Sequence, residues 1–188
     1  GSTEVGRILM RQSADTIKKI SLELGGNAPL IVFDDADLTE AVEGAIASKY
    51  RNAGQTCVCA NRMFVQSGIH DKFVAALAEK VAEMKVGDGF EEGVVQGPII
   101  DQQGFDKIER HIADATAKGG VVVTGGKPHE KGGTFYQPTV LTGATRDMQL
   151  FSEETFGPVA ALFKFDKEEE AIAAANDTIF GLAAYFFT

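Results

Sequence analysis

The sequence predicts an α/β fold, with three layers around a largely parallel β-sheet. Three observations carry this. Short apolar runs that suit strands recur along the chain and are separated by stretches with helical spacing, the pattern of a layered sheet covered by helices. The run 30–33 is continuously apolar, as a strand buried on both faces requires. The 188 residues, 44% hydrophobic and 24% charged, suffice for one domain that buries roughly 70% of the surface its unfolded chain exposes.

In chain order, Ser2 is a candidate N-cap for a helix with Val5, Ile8 and Leu9 on one side. Residues 17–24 alternate, with Ile20, Leu22 and Leu24 on one face and Ser21 and Glu23 on the other, which predicts a strand. A buried strand follows at 30–33. Asp34, Asp35 and Asp37 turn the chain and cap a helix carrying Leu38, Val42, Ala45, Ile46 and Lys49. A loop over 51–59 precedes a strand at 63–65, and Ile69, Phe73, Leu77, Val81 and Met84 mark the next helix. Residues 87–98 read as a Gly-rich loop. Phe105, Ile108, Ile112 and Ala115 give a helix stopped by Gly119 and Gly120. Strands are predicted at 121–123, 139–141 and 159–165, a polar turn at 125–133, a helix at 167–175 and a last strand from Ala184 onward. There is no internal repeat.

The formal net charge is −9, which leaves no basic surplus to neutralise phosphates and argues against a nucleic-acid partner. No apolar stretch approaches a membrane span. The two cysteines are spaced Cys-x-Cys, which is not a disulfide framework, and a reducing, cytoplasmic setting is expected. His70, His111 and His129 are scattered without metal-ligand spacing, so no metal and no histidine chemistry are assigned.

Chemistry concentrates in two segments. Both cysteines lie in Arg51-Asn52-Ala53-Gly54-Gln55-Thr56-Cys57-Val58-Cys59, about thirty positions after Leu22-Glu23-Leu24-Gly25-Gly26. A lone cysteine usually serves as a small buried hydrophobe. Cys57, though, follows a glycine in a polar loop, where oriented backbone N–H groups can favour a thiolate and stabilise an oxyanion. Glu23 taken alone is a polar residue on the outer face of a strand. Paired with a nucleophile, it is a candidate base for activating water. Arg51 fits a helix C-terminus through its charge, and equally fits a guanidinium that grips a distant carboxylate.

The segments resemble those of the aldehyde dehydrogenase family. Gly54-Gln55-Thr56-Cys57 is similar to its nucleophile motif, Leu22-Glu23-Leu24-Gly25-Gly26 to its general-base motif, and Glu153-Glu154-Thr155-Phe156-Gly157-Pro158 to its Glu-Glu-x-Phe-Gly-Pro motif. Gly1-Ser2-Thr3 looks like the helix start that meets the cofactor pyrophosphate, a role suited to a helix N-terminus. The resemblance implies NAD or NADP as cofactor, with Glu154 on the nicotinamide ribose, Phe156 beside the nicotinamide, and Ser2 and Leu24 in the cofactor site. It implies Cys57 as nucleophile and Glu23 as general base, acting through a thiohemiacetal and a thioester. Residues 50–61 are similar to the succinate-semialdehyde dehydrogenase branch. That implies a semialdehyde acid as substrate, held by Arg51, within 4-aminobutyrate degradation. Glutarate-semialdehyde or general aldehyde oxidation is the alternative, as is a folded module without turnover. Cys59 either packs or closes a strained redox disulfide with Cys57.

Members of that family are longer than this chain and homo-oligomeric. Residues 1–16 are therefore expected to be a helix remnant of the dinucleotide-binding domain, and 17–188 a catalytic domain cut at its C-terminus, without turnover alone. Asn27 follows the general-base motif and does not replace the family's oxyanion-hole asparagine, which lies further upstream. Cys57 is expected on a loop at the sheet edge facing the cofactor, beyond the carboxyl ends of the parallel strands.

Overall fold

The computed structural model describes residues 1–188. Its elements are α1 (Thr3–Ala14), β1 (Ala28–Val32), α2 (Leu38–Lys49), β2 (Ala60–Gln66), α3 (His70–Ala82), α4 (Gln102–Ala117), β3 (Val121–Thr124), β4 (Thr139–Thr142), α5 (Gln149–Ser152), β5 (Val159–Phe165), α6 (Glu168–Asn176) and β6 (Tyr185–Phe187). A 3-10 turn over Arg51–Gly54 joins α2 to the loop before β2.

The six strands form one sheet in the order β3-β4-β5-β2-β1-β6. All neighbours are parallel except the edge pair β3 and β4. Two apolar cores lie on opposite faces, which makes the three layers. On one face Leu30, Val32, Met63, Val65 and Leu162 pack against Ala41, Val42 and Ala45 of α2 and Phe73, Leu77 and Val81 of α3. On the other, Phe64, Leu141, Ala161 and Phe163 meet Ile108, Ile112 and Ala115 of α4, with Phe151 of α5 and Ala171 of α6. Successive residues of a strand point to opposite faces. In β2, Met63 and Val65 therefore serve one core and Phe64 the other, and a continuous apolar run results.

Helix ends follow local chemistry. Ser2 Oγ accepts from the Val5 N–H and opens α1; Asp37 does the same for the Glu40 N–H at the start of α2. Gly119, at φ 93, ends the turn after α4, a conformation glycine takes at little steric cost. Helix α1 stands apart from both cores: Gly6 is its one buried residue, against Leu24.

Two expectations are corrected. Residues 17–24 form no strand. Ile17 takes φ 50 in a turn and is 89% exposed, and the rest of the segment is an irregular connector. Alternation suits a strand, but a strand also needs a partner for its backbone ladder, and none lies alongside. The second correction concerns the functional edge. The segments before β1, β2 and β5 hold Gly26, Cys57 and Phe156, so this edge is formed by the amino ends of the parallel strands, not their carboxyl ends. The helices that follow β1, β2 and β5 start at the opposite edge. The nucleophile segment is a return loop from helix to strand.

Leu30, fully buried at the centre of β1, gauges the first core. Leu30→Ala is expected to cost about 3 kcal/mol, read as a fall in Tm of about 6–12 °C. A loss under about 1 kcal/mol would mean that this core is loosely packed.

Candidate active site

Chain direction and sheet order bring the predicted residues together. A cleft of about 640 Å³ is lined by Ser2, Glu23, Leu24, Gly25, Arg51, Gln55, Thr56, Cys57, Val58, Glu154 and Phe156, with Gly1. Every predicted site residue except Cys59 is on its wall. Four segments supply it: the start of α1, the connector entering β1, the loop entering β2, and the loop entering β5.

The loop bearing Cys57 is held by its backbone and by Gln55. After Tyr50 caps α2, Asn52 and Ala53 both take φ 54 and Gly54 takes φ 72. Left-handed backbone at two non-glycine residues costs of order 1–3 kcal/mol each, so the surroundings must impose it. Gly54 abuts the Gly157 carbonyl, where any side chain would collide. Gln55 Nε2 donates to the Pro98 carbonyl at 3.2 Å and Gln55 Oε1 accepts from the Ile100 N–H at 2.8 Å. The loop is thereby pinned to the Phe156 loop on one side and to residues 98–100 on the other. Cys57 is half-buried and its thiol is free. The Cys57 N–H donates to no group of the chain, which leaves it available to an oxyanion formed at the sulfur's target.

Cys59 faces away from the cleft. Its thiol is fully buried, lies 2.6 Å from Thr56 Oγ1, and donates to the Lys49 carbonyl at 3.6 Å. A disulfide with Cys57 would have to break both contacts.

Glu23 is exposed, and its carbonyl accepts from the Gly1 nitrogen at 2.7 Å. The start of α1 therefore sits beside the general-base candidate. Ser2 Oγ is already used by its own helix, so Ser2 can meet a ligand through backbone and position more readily than through its hydroxyl.

On the third segment, Glu154 Oε1 accepts from the Gly26 N–H at 2.9 Å and Oε2 carries no bond. Burial pushes the Glu154 carboxyl pKa up, opposed by that hydrogen bond and by Lys107, Lys49 and the terminal amine. Phe156 takes φ 55 and presents its ring to solvent, 37% exposed. The loop is braced from beneath by His111 of α4, which is fully buried. His111 Nε2 faces Glu153 Oε2 and Nδ1 faces Thr155 Oγ1, each at 3.2 Å. A carboxylate can only accept, so Nε2 bears the proton and Nδ1 accepts from Thr155. The two residues flanking Glu154 are thus tied to one imidazole.

An unengaged carboxylate oxygen, an open aromatic face and a nearby helix start suit the hydroxyl-bearing, planar and anionic parts of a nicotinamide dinucleotide. The residues present fit that group.

The aldehyde dehydrogenase family model matches residues 1–188. The chain belongs to the aldehyde dehydrogenase family. It is 60% identical to the NADP(+) succinate-semialdehyde dehydrogenase GabD of Escherichia coli (strain K12), aligning over 100% of this chain and 39% of that protein. It is 59% identical to glutarate-semialdehyde dehydrogenase of Pseudomonas aeruginosa, with the same coverage. Among solved structures, the aldehyde dehydrogenase of Brucella melitensis biovar abortus 2308 superposes with a TM-score of 0.97 at 65% identity, over 100% of this chain and 38% of that one. The chain thus spans about two fifths of the length of the relatives it matches.

Sequence reasoning passed over the supports. His111 stands in the apolar stripe of α4 and Lys49 in that of α2. A titratable side chain on a buried helix face is the signal that could have found both. Gln55 stands in the motif Gly54-Gln55-Thr56-Cys57, but its hydrogen bonds to residues 98–100 exist only after folding.

Two predictions follow from the geometry. A Cβ on Gly26 would run into the Cys57 carbonyl oxygen. Gly26→Ala is expected to lower stability by about 1–3 kcal/mol and to abolish thiol labelling at a wild-type rate; a wild-type Tm and labelling rate would contradict the contact. Burial lowers the His111 pKa below 6.5, with Glu153 opposing. The unfolded chain then binds a proton at higher pH than the native one. Stability contributed by neutral His111 is present above pH 6.5 and is lost as pH falls below it. His111→Gln should flatten that part of the Tm–pH curve; an unchanged slope would remove His111 from the balance.

Proposed function

We propose that this chain forms the nucleophile-bearing part of an NAD- or NADP-dependent dehydrogenase that oxidises a semialdehyde acid, succinate semialdehyde first among them, to the diacid. The observation that carries the reading is the convergence of Cys57, Glu23, Glu154, Phe156 and Arg51 on one cleft.

The chemistry follows from what each group can do. The Cys57 thiolate adds to the aldehyde carbon, and the Cys57 N–H stabilises the oxygen that gains charge. Bound nicotinamide would accept the hydride that turns the Cys57 thiohemiacetal into a thioester. Glu23 takes a proton from the water that hydrolyses the thioester, and the product acid leaves. Glu154 orients the cofactor ribose through its unengaged oxygen, and Phe156 offers its ring to the nicotinamide.

Substrate choice rests on Arg51. It is exposed at the end of α2 and borders the cleft on one side. It also borders a smaller recess, lined by Gly44, Ala47, Ser48, Thr56, Val58, Tyr185 and Phe187, on the other. A guanidinium there can hold a distal carboxylate while the aldehyde reaches Cys57. The names of the two relatives above fit this: both substrates are aldehydes ending in a carboxylate, and they differ by one methylene. One methylene is worth only about 1–3 kcal/mol of discrimination, so Arg51 selects the charge rather than the length. The parent enzyme is further proposed to be a cytoplasmic homo-oligomer; no helix of this chain is long and apolar enough to cross a membrane.

The test uses the full-length enzyme with succinate semialdehyde and butanal, which share a carbon count and differ in the carboxylate. Arg51→Ala should raise KM for the acid by about 10- to 100-fold, as loss of a charge-assisted bidentate pair worth about 1.5–3 kcal/mol implies, and leave butanal nearly unchanged. Equal losses on both substrates would reduce Arg51 to a structural charge.

A further inference from the structure

The mechanism leaves the buried charge of Lys49 unused. Lys49, the last residue of α2, is fully buried and is absent from the cleft wall. Its ammonium donates to Asn61 Oδ1 at 2.7 Å, on β2. Asn61 is buried as well, and its Nδ2 donates to the Gly26 carbonyl at 3.5 Å. The Gly26 N–H donates to Glu154 Oε1, and the Gly26 α-carbon abuts the Cys57 carbonyl. The Lys49 carbonyl meanwhile accepts from the Cys59 thiol. A continuous chain of contacts therefore runs from one buried ammonium to the carboxylate proposed to hold the cofactor, and touches the nucleophile loop twice.

Burying an ammonium with one hydrogen-bond partner is expensive, and an apolar side chain of similar length would pack here at lower cost. The ammonium is compensated by what faces it. Burial brings its pKa down to about 8, opposed by the charge of Glu154 on the β5 entry loop, while Cys59 on the β2 entry loop donates its S–H to the Lys49 carbonyl. Glu154 is faced in turn by Lys107 of α4.

We propose that Lys49 is a positioning residue: acting through Asn61 and Gly26, its buried ammonium fixes the Glu154 carboxylate at the cleft and thereby sets the affinity for the cofactor ribose. The inference rests on the reading of Glu154 given above. A neutral amine at position 49 could still donate to Asn61 but would no longer balance Glu154. Cofactor affinity should thus fall as pH rises through about 8.

The test is the equilibrium Kd of oxidised nicotinamide dinucleotide in the full-length enzyme, followed by fluorescence from pH 7 to 9.5. Cys57→Ala serves as the background, which removes the reactive thiol. In this background Kd should rise by about tenfold across the range. Adding Lys49→Gln, which keeps a donor to Asn61 and drops the charge, should raise Kd by about tenfold at pH 7 and flatten the profile. Lys107→Gln should leave the midpoint in place. A merely structural lysine would shift Tm without moving the profile. A flat profile with Lys49 present, or Lys49→Gln binding as tightly as its background while Glu154→Gln binds weakly, overturns the inference alone. If Glu154→Gln binds as tightly as the background, the ribose reading and this inference fall together. The profile with Lys49 intact needs no substitution at that position, so a variant that fails to fold does not spare the proposal.

Discussion

The backbone of Gly26 lies against the carbonyl of Cys57 with no room for a single carbon atom between them. The remainder of the site depends on that approach. β1 and β2 are parallel neighbours, and their register shifts between Ala28 and Pro29, immediately after this contact. Because the strands start side by side, the connector bearing Glu23 and the loop bearing Cys57 are brought together by the sheet itself. Gly54 repeats the device on the other side, where the Gly157 carbonyl occupies the space of a side chain. The nucleophile loop is therefore wedged between two backbone contacts, and its left-handed turn at Asn52 and Ala53 is held there by packing that leaves no relaxed alternative.

Polar groups beneath the edge do a different job. Arg62, fully buried in β2, donates from Nε to the Asn27 carbonyl at 3.0 Å and from its two terminal nitrogens to the Ala174 and Ala175 carbonyls at 2.9 and 3.0 Å. It thus joins the entry of β1 to the C-terminal end of α6, where a cation also meets the negative end of the helix dipole. Its guanidinium lies 5.5 Å from the Phe151 ring centroid and 5.7 Å from that of Phe64. Burial lowers its pKa to about 10, with Asp177 opposing, so it stays charged at neutral pH. Arg62, Lys49 and His111 each place a buried polar group under one of the converging segments. Such groups specify position because an unpaired alternative would be costly.

Much of this was legible in the sequence. The strands at 30–33, 63–65, 139–141 and 159–165 and the four longer helices after α1 were marked by periodicity and by caps such as Asp37. The cleft residues were marked by motifs that resemble those of the family. What could not be read belongs to tertiary pairing. The alternation of 17–24 looked like a strand because pattern reports which face is apolar and not whether a partner exists. The functional edge was placed at the wrong end of the sheet because strand order and direction, rather than composition, decide which loops meet. α5 and the 3-10 turn are too short to carry a periodic signal, and the roles of Gln55, Lys49 and His111 depend on residues that are close only after folding.

The division of labour between backbone and side chain also bears on how such a site can change. Cys57 and Glu154 occupy positions fixed by glycine contacts and hydrogen bonds, and alteration there disturbs several segments together. Arg51 is different. It is exposed, stands at the helix end before the strained turn begins, and makes no hydrogen bond or ion pair to another residue through its side chain. Its replacement would remove a charge from the cleft and disturb no packed neighbour. The charge on this wall of the cleft can therefore be exchanged through a residue that the fold does not need, while Cys57 stays where the sheet puts it.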